Sequence, residues 1–254
     1  MSDDAIDFSL AGMDRRDPPA PPRDAWLARR AHAFGASELP MVLAATGRRA
    51  PEALPGYAQK RIRITKQSHG LPRLYAEKAG LLAPLAAGDA ARIGQDRETE
   101  LLAEWARALD AEEYAVPFEA VIDTSSIRHA SEVPTEWMPL RARHSPYIAS
   151  TPDAWCRSEF GALYDVECKC VTSDVFEARW YWIVQVQAQG MATSSGGAFI
   201  VAGSRWARRT MERGPVVRCF VEPDERMRRE LAEAAEEAWS HVERLKREHG
   251  NADA

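Results

Sequence analysis

The chain has 254 residues, 33 Lys and Arg against 38 Asp and Glu, a net charge of −5, and 45% hydrophobic and 28% charged residues. This is the balance of a globular protein long enough to bury a sizeable core. It excludes a disordered acidic tail, a collagen-like repeat, a histone-like polycation and a small scaffold that needs staples. The negative total argues against wholesale coating of nucleic acid but leaves room for a local basic groove, because binding follows the local field.

In chain order, Met1 to Ala25 is rich in Asp and Pro, has no apolar period and reads as a mobile arm. Residues 26–250 are expected to form one domain. Ser37 is placed to cap a helix carrying Leu39, Val42 and Leu43, with Pro40 in its first turn and Gly47 as its stop. A basic segment follows, with Arg48, Arg49, Lys60, Arg61, Arg63 and Lys66. Leu71 to Ala79 reads as a short helix ended by Gly80. Arg92 to Leu109 reads as a longer one, with Ile93, Leu101, Leu102, Trp105 and Leu109 on one stripe.

Tyr114 to Ile122 has a strand pattern, and polar Ser125 to Met138 reads as a loop or hairpin. Tyr147 to Cys156 and Ala162 to Val171 read as two strands joined by a turn at Ser158 to Gly161. Phe176 to Met191 has helical spacing, and its Trp180, Tyr181 and Trp182 are most simply core packing. Ala198 to Ala202 and Val216 to Val221 are further strands. Asp224 to Arg247 is a long helix with Met227, Leu231, Ala234, Ala238, Val242 and Leu245 on one face. This order predicts an α/β (α+β) fold with a central mixed β-sheet flanked by helices.

No apolar run approaches the length of a membrane span, and acidic Met1 to Asp7 lacks the basic start of a signal peptide. A cytoplasmic protein without membrane contact is expected. Cys156, Cys168, Cys170 and Cys219 form no CxxC pair and are expected to be reduced, mostly buried thiols.

The informative stretch is Thr151-Pro152-Asp153 followed by Asp165-Val166-Glu167-Cys168-Lys169-Cys170. On a strand, Glu167 and Lys169 share one face while Val166, Cys168 and Cys170 share the other. Taken alone, Glu167-x-Lys169 would be a solvated surface ion pair. If the preceding strand pairs with it as a hairpin, Asp153 arrives beside Glu167. Two carboxylates at one site call for a cation, and hard oxygen ligands favour Mg²⁺, with Mn²⁺ as substitute.

Pro152-Asp153 and Glu167-x-Lys169 together resemble the PD-(D/E)XK nuclease signature. Three segments extend the likeness to the lambda-exonuclease-like phage-type recombination nucleases: Phe34-Gly35-Ala36-Ser37-Glu38, Leu74 to Gly80, and Gly94-Gln95-Asp96-Arg97-Glu98. Gln185-Val186-Gln187 resembles that family's glutamine motif, and the whole resemblance covers roughly residues 30–245. Three departures stand out. The turn between Asp153 and Glu167 is slightly long, Ala154 and Trp155 replace smaller or aliphatic residues, and no tyrosine follows the Gln185 motif as in helicase-associated members.

The resemblance implies a restriction-endonuclease-like core and a metal-dependent deoxyribonuclease. Glu98, Asp153 and Glu167, with the carbonyl of Cys168, are implied as ligands of one or two Mg²⁺ ions. Lys169 and Gln185 are implied to orient the attacking water or steady the phosphate, giving 5′-phosphorylated products. Glu100 competes with Glu98, and Gln187 with Gln185. Arg30, Ser37, Arg48 and Arg49 are candidate DNA contacts, with Arg141, Arg143 and His144 beside them; each also reads as solvated surface, and Ser37 as a plain helix cap. The expected activity is 5′→3′ degradation of one strand from double-stranded DNA ends, leaving a 3′ overhang. A single-strand annealing partner, a trimeric ring and a bacterial host cytoplasm are implied by resemblance. An endonuclease on the same fold, or a decayed DNA-binding module, competes with this reading.

Overall fold

The computed structural model describes residues 30–46, 70–83, 89–110, 122–132, 140–171, 179–204 and 217–250. The proposed arm, Arg48, Arg49 and the rest of the basic segment lie outside these residues, as does all of the Tyr114 strand except Ile122.

The elements are β1 (Phe34–Gly35), α1 (Leu39–Ala45), α2 (Gly70–Lys78), α3 (Asp89–Asp110), β2 (Ile122–His129), a 3₁₀ turn (Ala130–Glu132), β3 (Leu140–Ala142), β4 (Ser145–Ser150), β5 (Ala154–Ser158), β6 (Leu163–Val171), α4 (Trp180–Thr193), β7 (Ala198–Ser204), β8 (Val217–Val221) and α5 (Glu225–Gly250). They form a three-stranded sheet ordered β1-β4-β3 and a five-stranded sheet ordered β2-β5-β6-β7-β8. Within the larger sheet β6 and β7 are parallel and the other pairs antiparallel, so it is mixed. A parallel pair needs a long crossover, and α4 supplies it.

Alternation along the central strands sorts the core. Val166 and Cys168 of β6 and Phe199 and Val201 of β7 pack with Leu101, Leu102 and Trp105 of α3. Ile200 and Ala202 turn to the opposite face, with Ile183 and Val186 of α4 and Leu231, Ala234 and Ala238 of α5. Each fully buried aliphatic of this kind contributes about 1.5–3 kcal/mol. The sheet is thus clamped between α3 on one side and α4 on the other. No helix among the described residues is long and apolar enough to cross a membrane.

Four local expectations are corrected. Tyr147 to Cys156 is not one strand: β4 and β5 belong to different sheets and the chain breaks at Thr151-Pro152-Asp153. Pro152 has no N–H for a ladder, and the Asp153 carbonyl accepts from Ala130 N–H at 2.8 Å. Ser125 to His129, read as part of a loop or hairpin, is the end of β2, an edge strand among the described residues with a bulge between Asp123 and Arg128. Ser125 is exposed while Ser126 to His129 are all partly buried, so no inside–outside alternation marks the strand. Arg179 is extended, so α4 starts at Trp180 and not at Phe176. Ser37 is exposed and does not cap α1. The cap position is Glu38, and the helix ends at Ala45 before Gly47. The Glu38 carboxylate instead accepts from Gly35 N–H at 2.8 Å and pairs with Arg30 and Lys78 at 2.7 and 3.0 Å.

Other expectations hold. Gly80 and Gly161 take φ of +80° and +82° at a helix end and at the β5–β6 turn, a region glycine enters at no steric cost. The last long helix is present as Glu225–Gly250, with Asp224 just before it accepting from Met227 N–H at 2.9 Å as its cap. None of the four cysteines is in a disulfide; Cys156 and Cys168 are buried and Cys170 and Cys219 partly so.

Candidate active site

The β5–β6 hairpin pairs Ala154 with Val166, which brings Asp153 to the level of Glu167. The Asp153 carboxylate accepts from the backbone N–H of Cys168 at 2.8 Å. The sheet-face reading is therefore correct where it matters. Asp165, Glu167 and Lys169 turn toward α4, and Val166 and Cys168 turn into the core with α3. Cys170 is only half-buried.

Glu167 is 3% exposed, which removes the solvated-surface reading. A carboxylate this deep is costly unless it is paired and hydrogen-bonded. Its Oε1 meets the Lys169 ammonium and accepts from Gln185 Nε2 at 2.6 Å. Lys169 also donates to Gln185 Oε1 at 2.9 Å. Gln189 Nε2 donates to the other oxygen, Oε2. Gln187 turns elsewhere, donating to the Glu222 carbonyl at 2.6 Å and accepting from Asp224 N–H at 3.0 Å. The structure brings Gln185 into the site and leaves Gln187 as a tie between α4 and the start of α5.

On α3, Glu98 and not Glu100 faces this centre. Glu100 pairs with Arg97, whereas the Glu98 carboxylate lies 3.6 Å from His129 Nε2. The Cys168 thiol also reaches the Glu98 carbonyl, at 4.0 Å. His129 was not anticipated. Its Nδ1 accepts from the Ser131 backbone N–H at 3.2 Å, which turns Nε2 toward Glu98.

The electrostatics carry one message. Burial, then Glu167, then Glu98 push the Asp153 pKa well above the usual carboxylate range, against the pull of Lys169 and the Cys168 N–H. Burial alone would lower Lys169, but Glu167 and Asp153 outweigh it and the ammonium pKa is raised. Asp153 thus feels two other carboxylates, with one ammonium opposing them. Like charges held this closely raise one another's pKa unless a cation joins them. Among the described residues no three His, Cys, Asp or Glu side chains are grouped so that they could hold a metal ion. In this arrangement Lys169 and two amides hold Glu167. The donor set is nonetheless hard oxygen with excess negative charge, which fits Mg²⁺ or Mn²⁺.

Behind the site, Asp165 is fully buried and accepts from Thr193 at 2.7 Å and Ser195 at 2.8 Å. Burial moves its pKa up to about 7, opposed by those two hydrogen bonds and by Arg228. Gln189, Thr193 and Asp165 were missed by sequence reading. The available signal was the four-residue step Gln185, Gln189, Thr193 facing the two-residue step Lys169, Glu167, Asp165.

The candidate DNA contacts separate. Arg30 is half-buried, ion-paired with Glu38, and its guanidinium lies against Gly35, where a Cβ would stand 2.8 Å from it. Ser37 is exposed on the adjoining turn. This turn follows β1, which pairs Gly35 with Ala149, four residues before Asp153. Arg141, Arg143 and His144 are exposed around the β3–β4 turn.

No protein-family model matches the chain, and no curated protein matches it in sequence. Among solved structures it is similar to an alkaline exonuclease, LHK-Exo, from Laribacter hongkongensis. The TM-score is 0.55 at 14% identity, over 90% of this chain and 99% of that one. The same exonuclease in complex with dAMP gives 0.55 at 14% identity over 91% and 100%. A phage-related exonuclease from Haemophilus somnus 129PT gives 0.54 at 10% identity over 85% and 96%. At these identities the likeness establishes the fold, a restriction-endonuclease-like mixed α/β core, in agreement with the sequence reading.

Proposed function

We propose that the chain is a Mg²⁺-dependent 5′→3′ exonuclease that degrades one strand of linear double-stranded DNA, giving 5′-mononucleotides and a 3′ overhang. The observation that carries this reading is the bonded set of Glu167, Lys169 and Gln185 between β6 and α4, with Asp153 beside it on the Cys168 N–H and Glu98 of α3 near enough to act on Asp153. That the solved structures sharing its fold include an alkaline exonuclease and a phage-related exonuclease adds support.

In this reading Glu98, Asp153, Glu167 and the Cys168 carbonyl hold the cation. A divalent cation there lowers the pKa of a water and neutralises charge on the phosphate. Lys169, fixed by Glu167 and Gln185, offers its ammonium to the charge that builds on the phosphate. Gln185 orients Lys169 and the attacking water. Arg30 and Ser37, on the turn beside β4, face the DNA end, with Arg48 and Arg49 gripping the duplex. Recombination alongside a single-strand annealing protein, a trimeric ring and a cytoplasmic location complete the proposal.

The test is digestion with Mg²⁺ of end-labelled linear duplex, with and without a 5′ phosphate, beside covalently closed circular duplex. The expected result is label released as mononucleotide from the 5′ end with the circle intact. Cutting of the circle would move the reading to an endonuclease. Release from the 3′ end would reverse the polarity.

A further inference from the structure

We infer that Gln189 is a positioning residue that fixes the Glu167 carboxylate for the cation, an inference that rests on the nuclease reading above. Gln185, Gln189 and Thr193 stand four residues apart on one face of α4. Lys169, Glu167 and Asp165 stand two apart on one face of β6. Four helical residues rise about 6 Å and two strand residues about 6.6 Å, so the two rows stay in step. Gln185 meets Lys169 and Glu167, Gln189 meets Glu167, and Thr193 meets Asp165.

The middle rung is the one that core packing does not explain. Gln189 is fully buried, and its side-chain amide oxygen Oε1 has no hydrogen-bond partner. An aliphatic side chain of similar volume would fill the space without burying an unsatisfied polar atom. What the amide alone provides is its N–H to Glu167 Oε2.

The geometry also says what that bond controls. A carboxylate offers about four lone-pair directions. Lys169 and Gln185 both approach Oε1, and Gln189 approaches Oε2. The remaining direction is therefore on Oε2, the oxygen Gln189 holds. With both oxygens anchored the carboxylate plane is fixed. With Oε1 alone anchored it turns about its last bond, and the free lone pair no longer points one way.

The test compares wild type, Gln189→Met, Gln189→Ala and Thr193→Val. Met keeps the length of the side chain, Ala guards against misfit of the thioether, and Thr193→Val alters the neighbouring rung that does not touch Glu167. Cleavage is measured across Mg²⁺ concentrations, and Mn²⁺ binding by electron paramagnetic resonance. Loss of a partner behind a ligand typically weakens metal affinity about 10–100-fold. Both Gln189 variants are expected to raise the half-saturating Mg²⁺ by about that factor and to weaken Mn²⁺ to match. KM for DNA stays unchanged, and Thr193→Val keeps the wild-type metal dependence. Wild-type metal dependence in the Gln189 variants overturns the inference while leaving the nuclease reading intact. An equal shift in Thr193→Val overturns it too, since the effect would then be general packing. A wild type that neither cleaves nor takes up Mn²⁺ overturns the nuclease reading and this inference with it.

Discussion

The Asp153 carboxylate accepts a hydrogen bond from the Cys168 backbone N–H at 2.8 Å while burial, then Glu167 and Glu98, push its pKa up. Its folded pKa lies above its ordinary 3.8, so the folded state holds its proton more tightly than the unfolded one. Ionisation of Asp153 therefore opposes folding, and stability falls as pH rises above about 4. Asp153→Asn keeps an acceptor for Cys168 and removes the charge. In the absence of divalent cation it is expected to raise Tm by roughly 3–8 °C, taking about 1–3 kcal/mol for the relieved charge. The same variant is expected to abolish cleavage, which thermal unfolding beside a digestion assay will show.

Lys169→Met has the opposite effect on stability. It leaves the buried Glu167 carboxylate with amide donors only. Breaking a buried pair from one side costs about 3 kcal/mol, or roughly 5–10 °C in Tm for a chain of this length. Added Mg²⁺ is expected to recover part of the lost Tm without restoring cleavage. Scanning calorimetry with and without Mg²⁺ checks both.

Glu98 and Glu100 are two residues apart on α3 but have different partners. Glu98→Gln is expected to cut the rate by more than about 100-fold. Glu100→Gln removes one of two carboxylates around Arg97 and is expected to stay within about threefold of wild type. His129→Phe, which removes the ring nitrogen 3.6 Å from the Glu98 carboxylate, is expected to weaken metal affinity about 10-fold. Mg²⁺ titrations of the three variants separate these outcomes.

Gln187→Met provides the complementary contrast to Gln185→Met. Gln187 ties the Glu222 carbonyl and the Asp224 N–H to α4. Its loss leaves those groups short of a partner, at about 1–3 kcal/mol. Tm is expected to drop while kcat stays within a few-fold of wild type. Gln185→Met is expected to lower kcat about 100-fold, since Lys169 and Glu167 both lean on its amide.

The parts of the site legible in sequence are those set by short-range geometry. Two-residue alternation puts Glu167 and Lys169 on one face whatever the sheet around them. A tight turn at Ser158 to Gly161 returns the chain so that Asp153 lies level with Glu167. What sequence could not show depends on partners distant along the chain. The break at Pro152 exists because β4 pairs with β1 and β5 with β6, and an apolar pattern running through both strands hides a change of sheet. The polar end of β2 reads as loop because Ser126 to His129 are all partly buried and no inside–outside alternation marks the strand. Glu38 displaces Ser37 as cap because Arg30 and Lys78 converge on it from elsewhere. Gln189 stood on the same helical face as Gln185, but its meaning needed the register of α4 against β6.

The most direct test of the central claim is a Mg²⁺ titration of 5′-end release from labelled linear duplex, wild type against Lys169→Ala, with folding of both followed by circular dichroism. The account predicts saturable, Mg²⁺-dependent release by wild type, with at least a 100-fold loss in a folded variant. Release that persists without divalent cation, or equal release by the two proteins, would contradict it.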